Sequence, residues 1–155
     1  MDQERKFYLT RKGFKKIKKE YQTLKKVRRS ELKKSVFKSF NPSDLDPEYF
    51  TFHNDLNFLE SRIIELENIL RNAELIKIPP RSKCGVIDFG ATVLVEVGGQ
   101  TDEFEIVGTL EANPSLGKIS NESPVGKALL GHRVGDEVVI SSPIKTIYKI
   151  KKIKY

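Results

Sequence analysis

The sequence predicts an α+β fold: an N-terminal antiparallel α-helical coiled-coil hairpin followed by a small β-rich domain with one short helix. Three observations predict it. Apolar residues recur every three or four positions as far as Ala73, the recurrence changes to every second position beyond Pro80, and proline-containing breaks at Asn41-Pro42-Ser43 and Pro79-Pro80 bound the helical stretches.

In the first helix, expected from Thr10 to about Phe40, Phe14, Ile17, Tyr21, Leu24 and Val27 form the apolar stripe, with Thr10 as N-cap. Pro42 ends it, because proline lacks an amide hydrogen and disfavours a helical conformation in the residue before it. In the second helix Tyr49, Phe52, Leu56, Leu59, Ile63, Leu66, Leu70 and Ala73 keep a strict three-four alternation, the seam of a coiled coil. Two helices of about 30 residues, each rising 1.5 Å per residue, reach about 45 Å. The short connector makes them antiparallel. Their charges are sorted: the first carries a run of Lys and Arg against Glu20 and Glu31, and the second is mainly acidic. Attraction between opposite charges across the seam is therefore expected to favour the pairing.

Beyond Pro80, strands are expected over 91–97, 104–107, 137–140 and 144–153, with a hairpin turn at Gly98-Gly99 and another turn at Gly135-Asp136. A short helix is expected from Pro124 to Leu130, with Ser123 as N-cap and Gly131 past its end. Val93, Val95, Ile106, Val107, Leu129, Val138 and Ile140 are the expected core. The domain division is 1–78 for the hairpin and 79–155 for the mostly antiparallel β domain, with a short, stiff linker near 77–82.

A formal net charge of +7 over 155 residues suggests an anionic partner, either nucleic acid or the acidic surface of a machine that handles it. No apolar run approaches the roughly 20 residues that span a bilayer, and Met1 to Lys6 are followed by no apolar leader, so a cytoplasmic protein with no membrane partner is expected. With one cysteine, Cys84, and two histidines, His53 and His132, neither an internal disulfide nor a Cys/His metal site is available. No Ser, Cys or paired carboxylate is spaced to make a nucleophile site with His132, which reads as a surface residue.

The string ISNESPVGKALLG over 119–131 followed by GDEV over 135–138, with LT at 9–10 and Gly13, VRRSEL over 27–32, NAELI over 72–76 and FGAT over 89–92, resembles the Gre transcript cleavage factors of bacteria. The similarity covers nearly the whole chain. It implies a coiled-coil finger plus a globular domain related in fold to the FKBP-type isomerases. It further implies a transcription elongation factor that is not itself an enzyme. The globular domain docks on RNA polymerase, through Ser123 and Pro124 on the motif carried over, and the finger enters the secondary channel. Acidic residues at its tip help bind a second Mg²⁺, shared with the polymerase active site and not held stably by the free protein, so that the 3′ end of a backtracked RNA is cut. The factor is expected to act as a monomer.

Where the family tip reads Asp-Leu-x-Glu-Asn-x-Glu-Tyr, this chain has SDLDPEY over 43–49, shorter by two residues. Asp44 falls on the family's first acid and Pro47 on its second, leaving Asp44, Asp46 and Glu48 as the candidate metal ligands. Asp46-Pro47-Glu48 is equally an ordinary helix start, with Asp46 as N-cap. The basic face of the first helix, Arg28 and Arg29 included, has two readings: contact with the RNA 3′ end, DNA or acidic polymerase surface near the channel, or a solvated face that balances the acidic helix. Phe37, Phe40, Phe50 and Phe52 near the tip suit packing at the hairpin end, or stacking on a base. The shortened tip keeps open a paralogue that occupies the channel without promoting cleavage. Fold kinship alone would make the β domain a peptidyl-prolyl isomerase, against which stand its lack of Trp and the fewness of its aromatic residues to line a proline pocket.

Overall fold

The computed structural model describes residues 5–37, 47–141 and 144–155. In chain order the elements are β1 (Phe7–Leu9), α1 (Arg11–Phe37), α2 (Pro47–Arg71), β2 (Ala73–Leu75), β3 (Thr92–Val97), β4 (Gln100–Val107), β5 (Lys118–Ser120), α3 (Pro124–Leu129), β6 (Glu137–Ile140) and β7 (Thr146–Lys154). They fall into two compact units, a hairpin of Phe14–Asn72 and a sheet unit joining the residues up to Gly13 with Ala73–Tyr155. That division runs differently from a single cut between residues 78 and 79.

In the hairpin, Phe14, Ile17, Tyr21 and Leu24 are half-buried along α1, as the stripe requires, whereas Val27 lies on its flank and is 42% exposed. On α2 the buried residues are Ile63, Leu66 and Ile69, with Phe52, Leu56, Leu59 and Leu70 half-buried. Glu20 on α1 meets Arg62 on α2 at 2.9 Å, and Arg62 also holds Glu65 at 2.8 Å. Among the described residues this is the ion pair that crosses the seam, and its polarity is the reverse of the sequence expectation. It joins the lone early acid of the basic helix to a base of the acidic one. The majority charges point outward instead of toward each other.

The second helix also ends earlier than its heptad pattern suggests. Asn72 donates its amide to the Asn68 carbonyl at 3.1 Å, and Ala73, which fits the seam period, begins β2. β2 pairs in parallel with β1, in register Phe7 with Ala73 through Leu9 with Leu75, and the ladder continues as Ile76 N–H donates to the Leu9 carbonyl at 2.8 Å. This two-stranded sheet was not expected from the sequence. A close approach fixes it: a Cβ on Gly108 would lie 1.9 Å from the Tyr8 carbonyl oxygen, so only glycine lets the β1 backbone pass.

The main sheet has the order β5-β4-β3-β7-β6, antiparallel except for the β4–β5 pair. Gly98 and Gly99, at φ of 57° and 82°, make the two-residue turn between β3 and β4, whose twist matches the flanking strands. The core is Ile87, Ala91, Val93, Val95, Ile106, Leu129, Val138, Ile140 and Ile150, each buried, with α3 supplying Leu129 against the strands. All seven residues expected in the core are buried. At the end of the chain the Tyr155 hydroxyl donates to the Val86 carbonyl and accepts from Asp88 N–H at 2.9 Å, closing the loop before β3 over that core.

Candidate functional site

Of the residues singled out at the tip, Asp44 and Asp46 lie outside the described residues. Glu48 is the second residue of α2, and its side chain is likewise outside them. Pro47 opens α2, the N1 position at which proline's missing amide hydrogen costs nothing. Behind it sits an aromatic group: the rings of Tyr49 and His53 are 4.4 Å apart, those of Tyr49 and Phe50 5.9 Å and those of Phe52 and His53 5.9 Å. Phe52 is half-buried on the seam, as its place in the three-four alternation requires, whereas Phe50, off that alternation, is 53% exposed and not packed as the hairpin-end reading expects.

The outer side of α1 is strongly basic. Its 27 residues carry twelve Lys or Arg against two Glu. Arg11, Lys15, Lys18, Lys26, Arg29 and Lys33 are all exposed, at spacings that keep them on one side of a helix of 3.6 residues per turn, while Arg28 turns partly inward. Among the described residues, Lys34 is the base of α1 that makes an ion pair, to Glu31 at 2.8 Å, and Lys25 lies 5.1 Å from the centre of the Tyr21 ring. The other bases of α1 make no ion pair among the described residues.

Along one flank of the hairpin runs a groove of about 680 Å³ that sequence reasoning missed. Leu24, Val27, Phe52, Leu56, Phe58 and Leu59 line it, with Glu20, Glu31, Asp55 and Arg62 at its edges. Two helices can close only one seam, so the residues flanking it stay partly uncovered. Phe58, one position short of the seam residue Leu59, was the available signal.

In the sheet unit the motif carrying Ser123 and Pro124 is tightly built. The Ser123 hydroxyl accepts from Gly126 N–H at 3.0 Å, capping α3, and donates to the Ser120 carbonyl at 2.7 Å. A Cβ on Gly126 would meet that same carbonyl oxygen at 2.0 Å, which explains the glycine three residues after the cap. Thr109 donates to Glu122 at 3.0 Å and shares a hydrogen bond with Ser120 at 3.1 Å, and Arg5 lies 3.5 Å from Glu122. Glu122 on the loop before α3 and Pro124 at the start of α3 remain exposed on backbone fixed from beneath.

His132 Nδ1 lies 3.2 Å from Asp136, whose carboxylate also accepts from Arg133 N–H at 2.9 Å. The Arg133 amide first, and His132 second, hold the Asp136 carboxyl below the usual aspartate range. This is a turn device, consistent with the reading of His132 as a surface residue. Cys84 is half-buried and free, its sulfur 3.5 Å from the carbonyl oxygens of Pro79 and Pro80. Among the described residues no group of three His, Cys, Asp or Glu is placed to hold a metal ion, and no helix is long and apolar enough to cross a membrane.

Comparison with known proteins covers both units. Residues 7–75 match the family described as transcription elongation factor, N-terminal, and residues 81–155 match transcription elongation factor, GreA/GreB, C-term. Transcription elongation factor GreA of Clostridium acetobutylicum is 42% identical, covering 99% of this chain and 100% of its own. The GreA of Thermomicrobium roseum is 40% identical over 141 residues, 90% of each chain. Among solved structures, the GreA factor homolog 1 (Gfh1) protein of Thermus thermophilus is 28% identical, spans 97% of this chain and 100% of that one, and superposes with a TM-score of 0.43. The chain belongs to the GreA/GreB family of transcription elongation factors.

Proposed function

We propose that this factor docks on RNA polymerase with its sheet unit, inserts its hairpin into the secondary channel, and stimulates cleavage of the 3′ end of backtracked nascent RNA. The supporting observation is the coincidence, in a member of the family, of three carboxylates within five residues, Asp44, Asp46 and Glu48, where the first helix gives way to the second. The donor set fits a hard cation such as Mg²⁺, which takes oxygen ligands and few of them from protein. Asp44, Asp46 and Glu48 would hold the ion together with the polymerase's own acids, and the chemistry it would supply is activation of a water for attack on the RNA phosphodiester. The chain's residues do the rest. Asp44 is the freest of the three acids on the sequence pattern, since Asp46-Pro47-Glu48 reads as a helix start in which Asp46 takes the N-cap position and Glu48 the first turn. Arg28 and Arg29 meet the phosphates of the RNA or the DNA near the channel, and Ser123 with Pro124 contacts the polymerase at the channel mouth. The protein so read is a cytoplasmic monomer that lends ligands to another enzyme's reaction.

The test is RNA cleavage by a stalled, backtracked polymerase from the same source with Mg²⁺, comparing no factor, this chain, and the Asp44→Ala/Glu48→Ala variant. Faster cleavage that the variant loses supports the reading. One observation favours a second reading: Pro47, where the family's second acid falls, is built into the first turn of α2 and offers no carboxylate. Binding to polymerase without faster cleavage would move the chain to a channel-occupying regulator. Absence of binding would remove the polymerase assignment.

A further inference from the structure

The outward faces of the two hairpin helices are made of opposite materials. On α1 the face is a rail of Lys and Arg. On α2 the residues opposite the seam are Phe50, Asn54, Asn57, Ser61, Ile64 and Asn68, every one exposed and none charged. Their spacing of four, three, four, three and four confines them to an arc of about 80° at 3.6 residues per turn, over about 27 Å of helix. α2 carries seven charged residues among 25, and all seven lie beside this stripe or across from it.

A free helix surface gives no reason for such a choice. Asn and Ser are poorer helix formers than the Lys, Arg and Glu that serve α1, and Ile64, 66% exposed, and Phe50, 53% exposed, are costly in water. Among the described residues the side chains of Asn54, Asn57 and Ser61 make no hydrogen bond within the protein, so the stripe is not maintained for internal pairing. Depletion of charge with an aromatic residue retained is a mark of the centre of a protein interface.

We propose that this charge-free stripe of α2 is the face by which the inserted hairpin lies against protein, an uncharged wall of the polymerase channel, while the basic face of α1 is turned toward phosphate. The inference rests on the proposed channel-binding function. Charge selects the occupant. Phosphates or acids placed against the stripe would go unneutralised, whereas amides that both donate and accept match uncharged side chains and free carbonyls of a protein wall. A second copy of this chain is the poorer match: a strip of about 27 Å by 10 Å, with two apolar residues in six, falls well below the roughly 800 Å² per partner of a stable interface. Contact of this size orients a hairpin held elsewhere.

The experiment places a photocrosslinking amino acid at Ser61, at Gln22 on the outer side of α1, and at Lys127 beside the Ser123 loop, each in the full chain bound to an elongation complex. Binding of Ser61→Lys and Ile64→Lys variants is measured alongside. The expected result is a crosslink from Ser61 to a polymerase protein subunit and a roughly tenfold loss of affinity in both lysine variants, with unfolding temperatures unchanged, as fits exposed positions. Crosslinking of Ser61 to RNA or DNA overturns the proposal, as does crosslinking to a second copy accompanied by dimers in sedimentation. If Gln22 or Lys127 crosslinks to polymerase while Ser61 does not and the lysine variants bind normally, the stripe assignment fails and the channel-binding reading stands. If no position crosslinks, both fall.

Discussion

The sheet unit and the hairpin use apolar residues for different ends. In the sheet unit nine side chains from strands, loop and helix converge on one closed core. In the hairpin, among the described residues, full burial is confined to Ile63, Leu66 and Ile69, and the rest of the seam is half open. What the hairpin lacks in core it carries on its surface, as sorted charge on α1 and absence of charge on α2. The difference teaches where each kind of mutation acts. Truncation in the sheet unit should cost stability, and substitution on the hairpin's outer faces should cost binding with stability intact.

The sharpest way to break this contrast is a pair of matched truncations. Leu129→Ala, in the core of the sheet unit, should cost about 3 kcal/mol, whereas Leu24→Ala, half-buried on the hairpin seam beside the open groove, should cost about 1 to 1.5. Urea unfolding of each full-length variant measures both. Equal losses would mean that the hairpin is as closely packed as the sheet unit and that its groove is shut in solution.

The next effect lies where α1 begins. Glu111, in a short turn after β4, accepts from the Thr10 amide and the Thr10 hydroxyl, both at 2.7 Å, and Thr10 in turn accepts from Gly13 N–H at 3.0 Å. A carboxylate at a helix N-terminus is favoured by the dipole as well as by these bonds. A Cβ on Gly13 would fall 2.3 Å from the Glu111 carboxylate, so the glycine is there to admit it. Glu111→Ala should cost about 2 kcal/mol, and Gly13→Ala a similar amount because it displaces the same carboxylate. In the Glu111→Ala background, Gly13→Ala should become neutral or stabilising by up to about 1 kcal/mol, since alanine is the better helix former. Simple additivity in that double-mutant cycle would show that Glu111 does not act through Gly13.

What could be read from the sequence divides along the same line of local against distant contacts. Ser123 capping α3, Pro124 at its start, Thr10 capping α1, the Gly98-Gly99 turn and the alternating core all depend on neighbours within a few residues or on a period, and each was legible. Glu111 acts on residues 101 positions away and carries no local mark. The β1–β2 sheet was hidden for a related reason: three-residue strands have too little pattern to declare themselves, and Ala73 fits the helical period that it in fact ends. The site was less legible than the fold. The family strings pointed to Ser123 and Pro124: the structure holds Ser123 half-buried as the cap of α3 and leaves Pro124 exposed at the start of that helix, while the tip acids Asp44 and Asp46 fall outside the described residues.

The charge sorting misled in an instructive way, and it sets the next, smaller prediction. Opposite net charges on two helices suggest bases of one facing acids of the other, but long side chains beside an apolar seam meet only if their positions flank it. Glu20 and Arg62 do, and Glu65 with Glu20 keeps the Arg62 guanidinium charged. Both partners of the crossing pair are more than a third exposed, at 39% and 38%, so solvent screens the pair and Arg62→Ala should cost about 0.5 kcal/mol. The charge-reversed pair, Glu20→Arg with Arg62→Glu, should recover most of what either single reversal loses. If Arg62→Ala costs 2 kcal/mol or more, cross-seam electrostatics hold the hairpin and the apolar seam is secondary.

The smallest effect belongs to the turn before β6 and has a defined direction in pH. The Arg133 amide and His132 depress the Asp136 carboxyl, so in the folded chain it binds a proton less readily than in the unfolded one. Its contribution is therefore fully present above the unfolded aspartate value of about 3.9 and is lost as pH falls below it toward the depressed folded value. Asp136→Asn should lower the unfolding midpoint slightly at pH 7, and the gap between variant and parent should close as the pH is taken below about 4. His132→Ala should remove only the lesser part, because the Arg133 amide, the larger cause, stays in place. A gap that widens toward low pH would mean that the carboxylate is strained rather than supported in the fold, and that the turn is held by the Gly135 amide, which donates to the Ile150 carbonyl at 2.9 Å.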